Sequence, residues 1–291
     1  MFSMFYDFSS DELKKVILYG QGIDYIDDLI ELLPKPIFPL GRYDPLLEAY
    51  VLLRHDVDHS ILNALQMAIV EERQGIQSTY FLLHPNNMDT KSNYYGYIED
   101  NKIIHHPDLI NFCKKIISLG HEIGIHNDFV TASLALQEKP QNLLHNELEF
   151  FQKNGINIKG SASHGSPLAR ELDFVNYEIF SECNTKNRET GRTISYKNYS
   201  LQLNSLKMSD FDLTYEAYFL KRDTYISESG GKWGGTVPRD TPEWSHFNQH
   251  FSKTDFRSLI SNLTEIYGTK KAQILIHPCW WSGVVNGYRM I

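Results

Sequence analysis

Short apolar runs alternate with amphipathic segments along the chain from about residue 50 onward. Seven of the apolar runs have the length and the flanking turn residues of β-strands, at 51–55, 78–83, 122–126, 158–163, 213–217, 224–227 and 273–277. Helical periodicity falls between them, at 61–73, 108–119, 142–154 and 256–267. This alternation predicts an α/β fold in which helices pack on a parallel sheet.

The predicted elements allow two architectures, an open doubly wound sheet and a barrel. A G-x-G-x-x-G loop after the first strand would favour the open sheet and a nucleotide ligand, but the chain has no such loop there. We therefore predict a barrel over residues 49–291. A short helical appendage is expected at 1–48, with a capping-box pattern from Ser9 and a helix at 24–33. Segment 86–106 is predicted to be an insertion that shapes a substrate site.

Composition and charge indicate which kinds of molecule the protein binds and where it acts. The 291 residues are 42% hydrophobic, enough for a sizeable core, and carry a formal net charge of −8. This charge argues against nucleic acid and anionic membranes and favours a neutral or cationic substrate. No apolar run approaches the roughly 20 residues of a membrane span, and the first residues lack a signal-peptide pattern. The three cysteines are odd in number and far apart, which argues against disulfides and predicts a cytoplasmic protein.

Two carboxylates stand at the end of the first predicted strand, in the segment Arg54-His55-Asp56-Val57-Asp58. Residues two apart in a strand point to the same face, so Asp56 and Asp58 converge. Carboxylates at close range repel each other, and a metal ion relieves that repulsion while leaving one of them free to act as a base. The alternative is an ordinary strand-end turn, in which Asp is common.

Four histidines also fall at or just after the ends of predicted strands: His84, His126, His164 and His277. In a parallel α/β barrel the carboxyl ends of the strands share the face that carries the active site. Each histidine alone would be read as structural, but together with the aspartates they predict a metal centre. Imidazole and carboxylate ligands suit zinc, iron or cobalt, and an open coordination position would activate water for hydrolysis.

Strand alternation separates these candidates from neighbouring polar residues. His126 and Asp128 fall on the inward face of the third predicted strand, whereas His121 points away and is expected to cap a helix or lie at the surface. In the first strand His55 alternates away from the aspartates. His59 follows them and is expected to line the site without binding metal.

Three segments resemble the ordered signature motifs of the polysaccharide deacetylase family, carbohydrate esterase family 4 (CE4). They are Arg54-His55-Asp56-Val57-Asp58, Gly120-His121-Glu122-Ile123-Gly124-Ile125-His126 and Leu275-Ile276-His277-Pro278. The resemblance implies a distorted (β/α)7 barrel that removes N- or O-acetyl groups from sugars with a divalent metal. It implies that Asp56 is the base, that Asp58 and His126 are metal ligands and that His277 is the acid.

The chain departs from this pattern where the family places its second histidine ligand, four residues after His126, because Val130 stands there. The third motif also lacks its usual Arg-Pro pair and contains His164 instead. We predict that His164 replaces the missing ligand, with Asp128 as the second candidate. The pattern is similar to that of divergent deacetylase-like proteins encoded with surface-polysaccharide genes.

Further residues are expected around the substrate. His84 ends the second predicted strand, Glu228 or Trp233 is expected to orient His277, and Trp281 could stack on a sugar ring. Packing in the core is the alternative for both tryptophans.

The sequence therefore predicts a metal-dependent hydrolase that removes an acetyl group from an N-acetylated sugar or a polysaccharide precursor. Zinc is the favoured metal. Val130 and the missing Arg motivate one alternative, a degenerate family member that binds a glycan or metabolite without turnover. A metal hydrolase of another substrate class is the third reading.

Overall fold

Seven parallel strands form the main sheet in the computed structural model, which describes residues 17–20, 23–86, 88, 92–229, 232–236, 270–285 and 288–289. They are β1 (Tyr50–Val57), β2 (Thr79–Leu83), β3 (Glu122–Asn127), β4 (Gly160–Ser163), β5 (Tyr215–Glu216), β6 (Thr224–Ser229) and β7 (Lys271–Ile276). Their order across the sheet is β5-β4-β3-β2-β1-β7-β6. This is the order around a barrel that stays open between β5 and β6, so the predicted distorted seven-stranded α/β barrel is confirmed.

Strand β1 lies at the centre of this sheet, paired with β7 on one side and β2 on the other. All eight of its residues are buried, as expected for a parallel strand covered on both faces. Its first half is apolar and packs in the core. Its second half carries Arg54, His55 and Asp56, which brings buried polar groups to the carboxyl end of the barrel.

Five α-helices are present among the described residues: α1 (Ile61–Arg73), α2 (Leu109–Ser118), α3 (Phe129–Leu136), α4 (Pro140–Lys153) and α5 (Pro167–Glu171). The sequence pattern missed α3 because its residues are buried on nearly every side, which removes the amphipathic period. The helix predicted at 256–267 lies outside the described residues. Within the described part of the chain no helix combines the length and apolar character needed to cross a membrane.

The segment before β1 is partly helical and partly extended. A π-helical turn at Tyr25–Leu29 continues into a 3-10 turn at Ile30–Leu32, within the predicted helix at 24–33. Strands occupy Ile17–Gly20, Ile23–Asp24 and Ile37–Phe38, and the last of these pairs with β1. The capping-box pattern at Ser9 lies outside the described residues.

The remaining elements are short. Antiparallel hairpins join Gly96–Glu99 to Lys102–His105, Thr193–Tyr196 to Tyr199–Gln202, and β6 to Lys232–Thr236. The first hairpin lies within the predicted insertion. A separate small sheet contains Ile17–Gly20, Ser282–Val285 and Tyr288–Arg289. Turns of 3-10 helix lie at Leu40–Arg42, Asn176–Ile179, Met208–Phe211, Ala217–Phe219 and Pro278–Trp280.

A buried charge joins α1 to the outer face of β1. Glu71 is fully buried, and its carboxylate accepts hydrogen bonds from Tyr25, His55, Ser78 and Tyr80. Burial alone would raise the pKa of Glu71, but His55 and then His121 and Tyr25 lower it to about 2. The carboxylate therefore stays ionised and holds the helix against the sheet.

His121 belongs to the same network, so the expected capping or surface role is wrong. It is buried, with Nε2 donating to the Ala68 carbonyl at 2.9 Å and Nδ1 3.7 Å from Glu71 Oε2. Helix α1 covers this face of the sheet and encloses the ring.

We expect Glu71 to make stability dependent on acid pH. Its pKa in the folded protein lies below its ordinary value of 4.5, so its contribution is complete above that value and is lost as the pH falls toward 2. As the pH falls from about 6 to about 3, protonation of Glu71 should lower the free energy of unfolding by about 2 kcal/mol. Urea unfolding at the two pH values, compared with Glu71→Gln, isolates that loss.

Glu72, the exposed neighbour of Glu71, provides the control. The stability of Glu72→Gln should depend on pH in the same way as that of the parent. Glu71→Gln should also be less stable at neutral pH by on the order of 3 kcal/mol, because it breaks a buried charged network. If Glu71→Gln lost as much free energy of unfolding between the two pH values as the parent does, the assignment of this loss to Glu71 would be contradicted.

Candidate metal centre

The carboxyl ends of β1, β3 and β4 bring together Asp58, His126 and His164. One potential ligand atom from each of these residues lies within 4.8 Å of the other two. His126 and His164 are buried and Asp58 is half-buried, so the cluster opens to one side. A single ion fits between one carboxylate and two imidazoles, and this donor set is typical of zinc and related divalent metals.

Parallel pairing of β3 with β4 sets the orientation of His126. The strand register places His126 opposite Ala162, and Nδ1 donates to the Ala162 carbonyl at 2.8 Å. Nε2 then faces the aspartates, 3.5 Å from Asp58 Oδ1. Burial lowers the pKa of His126 although Asp56 and Asp58 oppose it, which favours the neutral imidazole that binds metals.

His164 reaches the centre because β4 continues beside β3 for one more residue. Its backbone N–H donates to the Asn127 carbonyl at 2.8 Å, and its ring lies nearly perpendicular to that of His126 with centroids 5.0 Å apart. Val130, in contrast, is buried in the core. The structure thus brings His164, and not Val130, into the cluster with Asp58 and His126.

Asp128 does not join the cluster but lies behind His164. Its Oδ2 is 3.4 Å from His164 Nδ1 and also accepts from Asn86, while Oδ1 accepts from Asn176 at 2.7 Å. Burial would raise the pKa of Asp128, but His164 and His84 hold it below its usual value. An ionised carboxylate on Nδ1 orients an imidazole and leaves Nε2 for a metal.

His84 supports this arrangement without reaching the cluster. Its Nε2 accepts from the Asp128 backbone N–H at 3.2 Å, and its ring stacks on Phe129 with centroids 4.1 Å apart. The side chain is fully buried, and burial lowers its pKa. His84 therefore fixes the backbone around Asp128 and does not line a substrate pocket.

Asp56 is buried beside the cluster and pairs with Arg54, whose Nη2 lies 3.0 Å from Asp56 Oδ2. Burial would raise the pKa of Asp56, but Arg54 and, next, His126 hold it below its usual value. Sequence reasoning missed Arg54. The signal was present, since Arg54 precedes Asp56 by two residues and so shares its strand face.

His277 follows β7 and is held by Glu228 of β6. Its Nδ1 donates to the Glu228 carbonyl, and its backbone N–H donates to Glu228 Oε2 at 3.1 Å. Of the two residues expected to orient His277, Glu228 makes both of these contacts. Trp233 lies across the hairpin from Glu228 and packs against core residues. His277 Nε2 is the ring nitrogen that remains for proton transfer.

Two further residues predicted near the substrate differ in their burial. Trp281 is fully buried and packs edge-on against Tyr25 with centroids 5.0 Å apart, which leaves no face for a sugar ring. The proposed stacking role is therefore wrong for Trp281. His59 is exposed in the turn between β1 and α1.

The residues fit a divalent metal by an independent criterion. Asp58 Oδ1 is buried and has no hydrogen-bond donor among the residues that the structure describes. A buried carboxylate oxygen without a donor carries a desolvation penalty, and a cation removes it. The donors of the cluster therefore fit a divalent cation.

No protein-family model matches the chain, and no curated protein matches it. One solved structure to which the chain is similar is described as a crystal structure of a BA3943 mutant, a CE4 family pseudoenzyme with restored enzymatic activity. The two chains are 11% identical, with a TM-score of 0.37 over 86% of this chain. The match covers 62% of that protein, so this chain spans less than two thirds of its length. A similarity at this level assigns neither a family nor an activity.

We expect the purified protein to bind about one divalent ion per chain, and Asp58→Ala and His164→Ala to abolish most of that binding. Each change removes one of three converging donors while leaving the barrel core intact. Zinc titration with a competing chelator measures the affinity, and circular dichroism checks the fold. His59→Ala is the matched control, because this exposed histidine follows Asp58 and should leave the affinity unchanged. Full occupancy in both ligand variants would refute the site.

We expect Asp128→Asn to weaken zinc binding by about 10- to 100-fold, since an amide loses the charge that orients His164. The same titration tests this. Glu138→Gln, a change at a half-buried residue after α3, controls for the general effect of removing a negative charge. Equal affinities for Asp128→Asn and the parent would show that Asp128 serves the fold alone.

Proposed function

We propose that this chain is a metal-dependent hydrolase that removes an acetyl group from an N-acetylated sugar or a polysaccharide precursor. One observation carries the proposal. The Asp58–His126–His164 cluster lies beside a buried carboxylate, Asp56, whose Oδ2 is 3.4 Å from His126 Nε2, and His277 follows the neighbouring strand β7. We further propose that the chain is a divergent member of the polysaccharide deacetylase family and acts in the cytoplasm.

Asp58, His126 and His164 would hold the metal, with zinc as the proposed ion. When bound, such an ion polarises an acetyl carbonyl and lowers the pKa of a coordinated water. His126 and His164 each use Nδ1 on a protein oxygen, so both rings can present Nε2. The buried walls around them exclude competing water from this side.

Asp56 acts as the proton acceptor. Because Arg54 and the nearby histidines keep it ionised, it can take the proton of the attacking water at neutral pH. Asp56 can accept this proton only if it does not itself bind the metal.

His277 acts as the proton donor to the departing amine. Its Nδ1–H is committed to the Glu228 carbonyl, which directs Nε2 toward the substrate side. The donor follows β7 and the acceptor lies on β1, and these two strands are adjacent, so the two groups can serve the same scissile bond.

The second candidate is a protein that binds a glycan or metabolite without turnover. Val130, which stands where the family pattern has a histidine, favours this candidate because its side chain is buried and has no donor atom. The chain also carries a net charge of −8, which favours neutral or cationic ligands under either candidate.

We expect Asp56→Asn and His277→Ala to keep the metal but to reduce hydrolysis by about 10²- to 10⁴-fold each, because each removes a proton-transfer group. Acetate release from N-acetylated oligosaccharides at matched zinc loading is the measurement, with His145→Ala, a change at an exposed histidine of α4, as the control. Full activity in both variants would refute the mechanism. A parent protein that binds zinc and the oligosaccharide but releases no acetate would favour the second candidate.

A further inference from the structure

The distances of Asp56 and Asp58 from His126 do not show which aspartate binds the metal and which accepts the proton. Asp56 Oδ2 lies 3.4 Å from His126 Nε2, and Asp58 Oδ1 lies 3.5 Å from the same nitrogen. Both carboxylates could therefore reach an ion beside His126. The two differ in their other contact, because Asp56 Oδ2 is also 3.0 Å from Arg54 Nη2.

Arg54 is built into the barrel so that its charge is directed at Asp56. The guanidinium is buried, and its Cζ lies 5.7 Å from the centroid of the Phe81 ring. Glu216 is the other buried carboxyl group whose charge acts on Arg54. Burial raises the pKa of Glu216 to about 7, which weakens this group as a counter-charge. Asp56 is thus the principal counter-charge of Arg54.

We propose that Arg54 is a positioning residue that holds Asp56 off the metal and so reserves it as the proton acceptor. The guanidinium occupies the oxygen of Asp56 that faces the cluster, and its positive charge opposes a divalent ion at that oxygen. The inference rests on the proposed metal centre, but it does not depend on the identity of the substrate.

Removal of the Arg54 charge should have opposite effects on binding and on hydrolysis. Without Arg54, an ion beside His126 would meet two carboxylates and two imidazoles, and Asp56 would become a fourth ligand. A lost positive charge and a gained ligand both strengthen cation binding. Hydrolysis should fall because the proton acceptor is then bound to the ion.

The test is zinc affinity in Arg54→Met, measured by competition with a chelator. We expect Arg54→Met to bind Zn²⁺ about tenfold more tightly than the parent and to release acetate at least about 10²-fold more slowly. Arg54→Lys keeps the charge and should keep the parental affinity. Arg42→Met is the matched control, since Arg42 is exposed in the turn that contacts the first residue of β3, at the opposite end of that strand. Weaker or unchanged zinc binding in a folded Arg54→Met protein would overturn the proposal.

A second pair of variants decides the matter if Arg54→Met does not fold. Asp56→Asn alone should weaken zinc binding by less than about tenfold, because a nearby charge is lost but no ligand, whereas a loss as large as that of Asp58→Ala would show that Asp56 is a ligand. The double variant Arg54→Met/Asp56→Asn removes both partners of the ion pair and should return to the parental affinity. If the parent releases no acetate, the hydrolase proposal fails, but the zinc measurements still decide the role of Arg54. A parent that binds no zinc overturns both.

Discussion

The pleat of β1 organises two polar networks that the protein keeps apart. Arg54, Asp56 and Asp58 alternate onto the inner face at the carboxyl end of the barrel, while His55 points outward to Glu71. A slip of one residue in the register would exchange these faces and bury each charge beside the wrong partner. The register with β7 and β2 prevents that slip by pairing β1 along both edges.

Buried charges on both faces persist because each has a partner of opposite sign or several donors. Glu71 has four donors, whereas Asp56 has one guanidinium and neighbouring histidines. The two carboxylates therefore differ in how completely they are hydrogen-bonded. A carboxylate with all its oxygens saturated by donors is fixed and structural, while Asp56 keeps one buried oxygen, Oδ1, without a donor among the described residues.

The candidate metal centre depends on contacts beyond its three donors. Asp128 orients His164, and Asn86, Asn176 and His84 in turn hold Asp128. Asn86 begins the predicted insertion after β2, so that segment is joined to the centre by a hydrogen bond to Asp128. A change at Asn86 should therefore be felt at His164 through Asp128.

Much of this could be predicted from the sequence because it depends on local periodicity. The strand–helix alternation predicted the barrel, and the two-residue period of β1 predicted that Asp56 and Asp58 converge. The same period would have identified Arg54. Strand ends likewise marked His126, His164 and His277 as candidates, although they could not show that His84 faces away from the cluster.

Tertiary structure decided what depends on contacts between distant segments. Asp128 follows β3 on a turn whose direction no period specifies, and only the packing of Asn86 and Asn176 turns its carboxylate to His164. His121 lies against Glu71 because α1 covers that face of the sheet, and Trp281 is buried because the N-terminal segment brings Tyr25 onto it. The sequence by itself determined which side chains share a strand face, since neighbours along one strand have a geometry set by the backbone. Which of those side chains bind, orient or merely pack was decided by the fold, because most of their partners lie in other segments: Glu71 is 16 residues from His55, and Ala68 is 53 residues from His121.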